Sequence, residues 1–336
     1  MTAQLARKIH LLLATCRPAC CNCSTCRRMV QTTAAMFNFL LKMALRSRPP
    51  TRAELASAEV LVTTAPLLGS TLYSLPRLQW AQLTFAGVEK LMQFYQPDKP
   101  APPFAVTRMA STAFSRELAE WVLAAVLGHE RGFGRLWAAQ RRRAWTQSTY
   151  TYRPVSELTI GVLGTGQMGR EVGLLFKKLG CTVNGLSRTE KTADDAFDNM
   201  FTSDHLSEFL RSADYLCSVL PSTPSTRHLL TAARLADLPR RPVLVNAGRG
   251  DLITERELVA ALRVGSLSGA VLDVFENRAA AGRTANSGTW SRWVTISPHV
   301  ANLSRPELVC AAFLENLERF TGGRPLLHRV EWDRGY

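Results

Sequence analysis

Leu158-Thr159-Ile160-Gly161-Val162-Leu163-Gly164-Thr165-Gly166-Gln167-Met168-Gly169 is the stretch that decides the fold. Its opening is a short apolar run of the kind buried on both faces of a sheet, and it passes directly into the spacing G-x-G-x-x-G. From Gln167 to Leu179 the apolar residues recur at helical spacing, so the glycines stand between a strand and a helix. In that setting Gly164 permits a tight turn, Gly166 lets a pyrophosphate approach the backbone, and Gly169 lets helix lie close on strand. The helix start, with Gln167 and Met168, offers free N–H groups to the phosphates. A dinucleotide-binding sheet is expected from about Thr151 to His299.

Downstream, strand-like and helix-like segments alternate. CTVNGLS (181–187) reads as a strand, 204–212 as a helix, DYLCSVLP (214–221) as a strand and 226–236 as a helix. PVLVNAG (242–248), a helix over 254–264, LSGAVLDVF (267–275) and WVTISPH (293–299) follow, then a last helix from about Pro306 to Phe320 that stops at Gly322-Gly323. This alternation predicts an α/β fold with a doubly wound parallel sheet and right-handed crossovers. Upstream, VLVTTAP (60–66) reads as a strand closed by Pro66, WAQLTF (80–85) as another, and Pro97 to Pro103 as a loop. A long amphipathic helix is expected from Phe114 to about Trp137, and 141–156 is basic and irregular.

The second strand ends in Ser187-Arg188-Thr189. A site for NAD usually carries Asp or Glu here to hold the ribose 2′-hydroxyl. An arginine between two hydroxyls, with Lys191 close behind, instead suits a 2′-phosphate. NADP(H) is therefore the favoured coenzyme, with NAD(H) as the alternative.

The net charge of +14 would suggest a polyanionic partner until it is located. Two lysines and seven arginines stand in residues 1–52, before the first acid at Glu54, so the leader holds most of the surplus. No zinc-finger, RNP or basic-zipper pattern is present, and no nucleic-acid partner is expected. No apolar run reaches membrane-spanning length, and no membrane partner is expected. The leader, residues 1–50, is also cysteine-dense. Cys20, Cys23 and Cys26 lack a distant fourth ligand, so no metal is expected. Its Arg-rich, acid-free composition resembles a mitochondrial transit peptide, which sets the mitochondrion beside the cytoplasm as a compartment. Cys181, Cys217 and Cys310 stand alone in apolar surroundings, as reduced core residues do.

GVLGTGQMG, CSVLPSTPST, VLVNAGRGDLI, LSGAVLDVFE and TISPHVA, in this order, resemble the D-isomer-specific 2-hydroxyacid dehydrogenases, above all their glyoxylate/hydroxypyruvate reductase-like branch. WAQLTFAGVEKLM and VTRMASTAFSRELAEWVLAAVLGHERGF resemble that family's substrate loop and crossover helix, and Arg334-Gly335-Tyr336 the end of some reductases of the branch. The resemblance covers about residues 54–336. It implies a smaller, split flavodoxin-like substrate domain (51–112 with 303–336), a dinucleotide-binding Rossmann domain (113–302), a small 2-keto or 2-hydroxy acid as substrate, and a homodimer.

The resemblance also implies roles. Leu220, Pro221 and Thr226 would line the coenzyme near adenine and pyrophosphate, and Asn246, Ala247 and Gly248 would approach the nicotinamide. Asp273 would hold the nicotinamide amide or its own loop. The backbone of Phe85, Ala86 and Gly87 would grip the substrate carboxylate. Arg249 matches the family's arginine, suited to a two-point grip on a carboxylate, and His299 its general acid.

One departure stands out. The family pairs this histidine with a glutamate in an Asp-Val-Phe-x-x-Glu-Pro run, but here the run reads Asp273-Val274-Phe275-Glu276-Asn277-Arg278-Ala279. A cation at Arg278 would disfavour imidazolium, whereas Glu276, two residues early, could reach His299 if the loop repacks. Two readings stay open. One is a 2-keto acid reductase, and the other is a catalytically impaired dinucleotide-binding protein or sensor.

Overall fold

The computed structural model describes residues 55–145, 147, 150–277 and 293–335. The cysteine-rich leader, Arg278 and Tyr336 lie outside them. The chain divides into two compact units, one running to Ser111 and resuming at Ser304, the other Thr112–Leu303.

The first unit starts with β1 (Val60–Thr63), α1 (Ala65–Gly69), β2 (Trp80–Leu83), α2 (Glu89–Met92) and β3 (Ala105–Thr107). Its described strands are parallel in the order β1-β2-β3. Leu83 of β2 is fully buried, as are Leu68 of α1 and Leu91 of α2 in the same core. Pro66 does not close a strand: it occupies the first turn of α1, where a missing N–H costs nothing. The short β3 escapes the sequence reading because it follows directly on the proline-rich loop.

The second unit opens with α3 (Thr112–Glu130) and α4 (Phe133–Arg141). The expected single helix is broken at Gly132, whose φ of +65° is left-handed and ends the α3 spiral. Then follow β4 (Thr159–Leu163), α5 (Gln167–Lys178), β5 (Thr182–Ser187), β6 (Asn199–Thr202), α6 (Leu206–Ser212), β7 (Tyr215–Ser218), α7 (Ala232–Leu235), β8 (Val243–Asn246), α8 (Glu255–Val264), β9 (Gly269–Leu272) and β10 (Val294–Ile296). The chain returns to the first unit through α9 (Pro306–Thr321), where Asn316 joins the buried polar set Trp80, Gln82 and Thr107.

Among the described residues the large sheet has seven strands in the order β10-β9-β8-β7-β4-β5-β6, all parallel. The order reverses between β4 and β7, the place where doubly wound sheets open a crevice at their carboxyl ends. Strands β7, β8 and β9 are buried throughout, as both faces are covered. One face carries a core with Phe209, Leu258 and Leu262, and the other a core with Val122, Val126 and Phe176 from α3 and α5. Thr254 caps α8 by accepting from the Glu257 N–H at 3.2 Å, and Gly265 (φ +78°) ends it.

At the opposite, amino-terminal edge a polar cluster fastens the end of α3 to the sheet. Glu130 accepts from the Tyr215 hydroxyl at 2.7 Å and from Arg153 Nη2 at 2.9 Å. Asp214 accepts from Arg153 Nη1 at 2.8 Å, Arg240 Nη1 at 2.9 Å and the Thr159 N–H at 2.8 Å. His129 Nδ1 lies 3.0 Å from the same Tyr215 hydroxyl.

Candidate functional site

The glycine turn uses its three glycines in different ways. Gly164, at φ +101°, donates its N–H to the Leu186 carbonyl at 3.1 Å and so ties the turn to β5. A Cβ on Gly169 would lie 1.8 Å from the Gly164 carbonyl oxygen, so only hydrogen fits there. A Cβ on Gly166 would meet nothing within 4 Å. That open space lies at the N-cap of α5, whose first turn carries no acid and whose last carries Lys177 and Lys178. An anion is favoured at such a helix start by the unpaired N–H groups and the helix dipole. The pyrophosphate of a dinucleotide fits this cradle. Gln167 directs its side chain away, donating to the Thr112 hydroxyl at 3.2 Å. Met168 is partly buried against the core below.

Beside the turn, β5 ends in Ser187, a buried residue whose hydroxyl donates to the Thr189 carbonyl. This bond shapes a tight bend that leaves Arg188 exposed. The Lys191 ammonium reaches back to the glycine turn, 3.1 Å from both the carbonyl and the hydroxyl oxygen of Thr165. Two cations therefore flank the place where the second strand of such a sheet meets a ribose. The sequence reading noted Lys191 only as a neighbour, because a contact over 26 residues leaves no local signal.

The loop after β7 brings Leu220 between the glycine turn and the loop after β8. A Cβ on Gly248 would lie 2.7 Å from the Leu220 carbonyl oxygen, and one on Gly164 would lie 3.2 Å from its side chain. Thr226 spends its hydroxyl on its own turn, donating to the Pro221 carbonyl at 2.6 Å and accepting from the Thr223 N–H at 2.9 Å.

After β8, buried Asn246 staples the next turn. Its Oδ1 accepts from the Gly248 N–H at 3.1 Å, and its Nδ2 donates to the Arg249 carbonyl at 2.9 Å. Ala247 donates its N–H to the Ser218 carbonyl at 3.0 Å, which joins this turn to β7. Arg249, half-buried, donates from Nη1 to the Gly248 carbonyl at 2.8 Å. Gly250 must be glycine, since a Cβ there would stand 1.9 Å from the Phe275 carbonyl carbon.

Asp273 is buried and faces the loop of His299. Its carboxylate accepts from the Ser297 hydroxyl at 2.5 Å and from the N–H groups of Val300 at 2.8 Å and Ala301 at 2.9 Å. Its backbone carbonyl accepts the His299 N–H at 3.0 Å. His299 is exposed and held at φ +59°, a left-handed conformation costing a non-glycine residue on the order of 1 kcal/mol. The loop is thus fixed on both sides of one strained, accessible imidazole, as functional residues often are.

Glu276 is not brought to His299. Its Oε1 lies 2.6 Å from His228 Nε2, and the next residue, Asn277, donates its N–H to Glu255 at 3.0 Å. The sequence leaves open a repacking that brings Glu276 to His299; among the described residues its partner is His228 instead. Phe85, Ala86 and Gly87 follow β2 in the other unit, where Phe85 is exposed and its carbonyl accepts the Met109 N–H at 3.2 Å.

The sheet order and the glycine turn define a dinucleotide-binding α/β protein. Residues 123–301, more than half of the chain, match the family described as D-isomer specific 2-hydroxyacid dehydrogenase, NAD binding domain. A glyoxylate/hydroxypyruvate reductase A of Yersinia enterocolitica is 30% identical over 254 residues, covering 75% of this chain and 79% of the relative. A D-isomer specific 2-hydroxyacid dehydrogenase from Xanthobacter autotrophicus Py2, solved with NADPH and MES, superposes with a TM-score of 0.73 at 32% identity over 86% of this chain and 87% of that one. An NADPH-dependent glyoxylate/hydroxypyruvate reductase of Sinorhizobium meliloti, solved with NADP and sulfate, gives 0.71 at 28% identity over 83% and 86%. The chain belongs to the D-isomer specific 2-hydroxyacid dehydrogenase family, an oxidoreductase family.

Proposed function

We propose that the chain reduces small 2-keto acids of the glyoxylate and hydroxypyruvate type to D-2-hydroxy acids, with NADPH as the favoured coenzyme. One observation carries the reading. The buried Asp273 carboxylate fixes the His299 loop at the carboxyl edge of the same sheet whose glycine turn is open at Gly166. Gly164, Gly166 and Gly169 with the start of α5 would hold the pyrophosphate, and Ser187, Arg188 and Thr189 the 2′-phosphate. The bound coenzyme supplies a hydride to the keto carbon. Arg249 holds the substrate carboxylate. His299 gives its proton to the carbonyl oxygen as that oxygen becomes an alkoxide.

The relatives support both the substrate class and the coenzyme. The Yersinia protein is a glyoxylate/hydroxypyruvate reductase, and the Xanthobacter and Sinorhizobium structures hold NADPH and NADP. The test is NADPH oxidation with glyoxylate and with hydroxypyruvate from pH 5 to 8, with NADH alongside. Absence of turnover with both acids overturns the proposal.

A second reading, a dinucleotide-binding protein of impaired activity, is favoured by Arg278 in the position of the family's glutamate and by the engagement of Glu276 with His228. Arg278→Glu separates the two readings. A large gain in rate means the native chain is impaired, and an unchanged, substantial rate refutes impairment.

The chain acts as a homodimer in this proposal. Phe133, Leu136 and Trp137 are exposed at helical spacing on α4 and form an apolar face that a second copy would cover. Trp137→Glu is expected to yield a monomer in size-exclusion chromatography with light scattering, and a dimer that survives it assigns the interface elsewhere. The buried thiols Cys181, Cys217 and Cys310, none of them in a disulfide, suit a reducing compartment such as the cytoplasm. None of the described helices is long and apolar enough to cross a membrane.

A further inference from the structure

Three loops leave the carboxyl ends of β7, β8 and β9, and one histidine touches the other two from the first. His228 donates its backbone N–H to the Asp251 carbonyl at 2.6 Å, and its Nε2 lies 2.6 Å from Glu276 Oε1. Asp251 is two residues past Arg249, and Glu276 is three past Asp273, the residue that clamps the His299 loop. Around this point Asp251 accepts from the Ser222 hydroxyl at 2.5 Å and from Arg227 Nε at 3.4 Å. The backbone of Phe275 crosses Gly250 so closely that no Cβ fits between them.

His228 is a poor residue for its own backbone. Its φ of +50° is left-handed, a region that favours glycine. An imidazole kept there despite its Cβ points to use of its side chain, and Glu276 is what that side chain meets.

We propose that His228 is a positioning residue of this enzyme. It laces the Arg249 turn to the β9 exit that carries Asp273, whose carboxylate clamps the His299 loop, and Glu276 serves as its partner rather than as a partner of His299. The inference rests on the reductase reading, in which Arg249 grips the substrate carboxylate. An arginine that grips the same carboxylate before and during the reaction contributes binding common to both states. Its displacement therefore raises KM and spares kcat.

The test is a double-mutant cycle on the full chain, read by steady-state kinetics with glyoxylate and by NADPH fluorescence titration. His228→Ala and Glu276→Ala are each expected to raise the glyoxylate KM about three- to tenfold, the scale of one ordinary, partly exposed hydrogen bond. The expected kcat stays within about twofold, because the proton donor is untouched. The NADPH Kd is expected to stay unchanged. The double variant is expected to be no worse than either single one, since both remove the same link. His228→Gln, which keeps a donor, restores most of the KM.

An unchanged KM in His228→Ala overturns the inference, and so do losses that add in the double variant. A parallel loss of NADPH affinity and melting temperature, with no split between KM and kcat, overturns it too, because it marks a merely structural contact. In each of these cases wild-type turnover leaves the reductase reading standing. A wild-type chain that binds NADPH but neither reduces nor binds the acids overturns that reading and the inference together.

Discussion

Glu130→Gln removes one charge from the polar cluster at the amino-terminal edge of the large sheet and keeps the shape of the side chain. Burial pushes the Glu130 carboxyl up, but hydrogen bonds from Arg153 and Tyr215 outweigh it and hold the group at about 2, against an ordinary 4.5. At about 1.4 kcal/mol per pKa unit, the difference corresponds to roughly 3 kcal/mol of folding free energy at neutral pH. That is an upper bound. Glu130 is only 10% exposed, but the Arg153 side chain that supplies most of its bonds is 45% exposed and screened by water. About 1.5–2 kcal/mol is therefore expected for the variant. The sign follows from the lowered value. The contribution is fully present above pH 4.5 and is lost as the pH falls from 4.5 toward 2. Urea unfolding followed by tryptophan fluorescence, at pH 7 and at pH 3.5, reads both statements. The destabilisation by Glu130→Gln is expected to shrink by about two-fifths at the lower pH. A loss under about 0.5 kcal/mol at pH 7, or one identical at the two pH values, refutes the account of the cluster.

Four further outcomes are expected. His129, beside Glu130, is lowered from 6.5 by desolvation, so its neutral form is favoured in the folded chain. Its contribution is present above pH 6.5 and declines below it, and in the Glu130→Gln background melting temperature should fall as pH drops from 7 to 5.5. His299→Gln is expected to lower kcat about 10²- to 10⁴-fold while NADPH still binds in fluorescence titration. Arg188→Ala should weaken NADPH about tenfold or more and leave NADH within about twofold in the same assay, and equal losses for both coenzymes would count against a 2′-phosphate site. Asp273→Asn leaves one of three donors around His299 without its acceptor, and should cost about 2 kcal/mol in urea unfolding together with a fall in kcat.

Much of the large sheet was legible in the sequence because its strands are buried on both faces and so read as continuous apolar runs. Strands β4, β7, β8 and β9 are of this kind. Strand β6 was not legible. Asn199–Thr202 lies at the sheet edge, partly exposed, with no apolar run to announce it. The helix expected over 226–236 contracts to the four residues of α7, because the Thr223–Thr226 turn and the left-handed His228 bar helical backbone before Thr231. At the candidate site, the residues inside motifs were legible one by one. The bonds that organise them were not, since Lys191 to Thr165 and His228 to Glu276 join segments 26 and 48 residues apart.

The two glycines at the ends of the Gly166–Gly169 turn carry unequal information. Gly169 is demanded by the protein's own interior, and a chain that had abandoned its coenzyme would still need it in order to fold. A side chain at Gly166 would meet nothing of the protein, so the room it leaves serves only what lies outside the turn. A substitution at Gly166 would therefore be felt by a bound dinucleotide and not by the fold, whereas one at Gly169 would be felt by both.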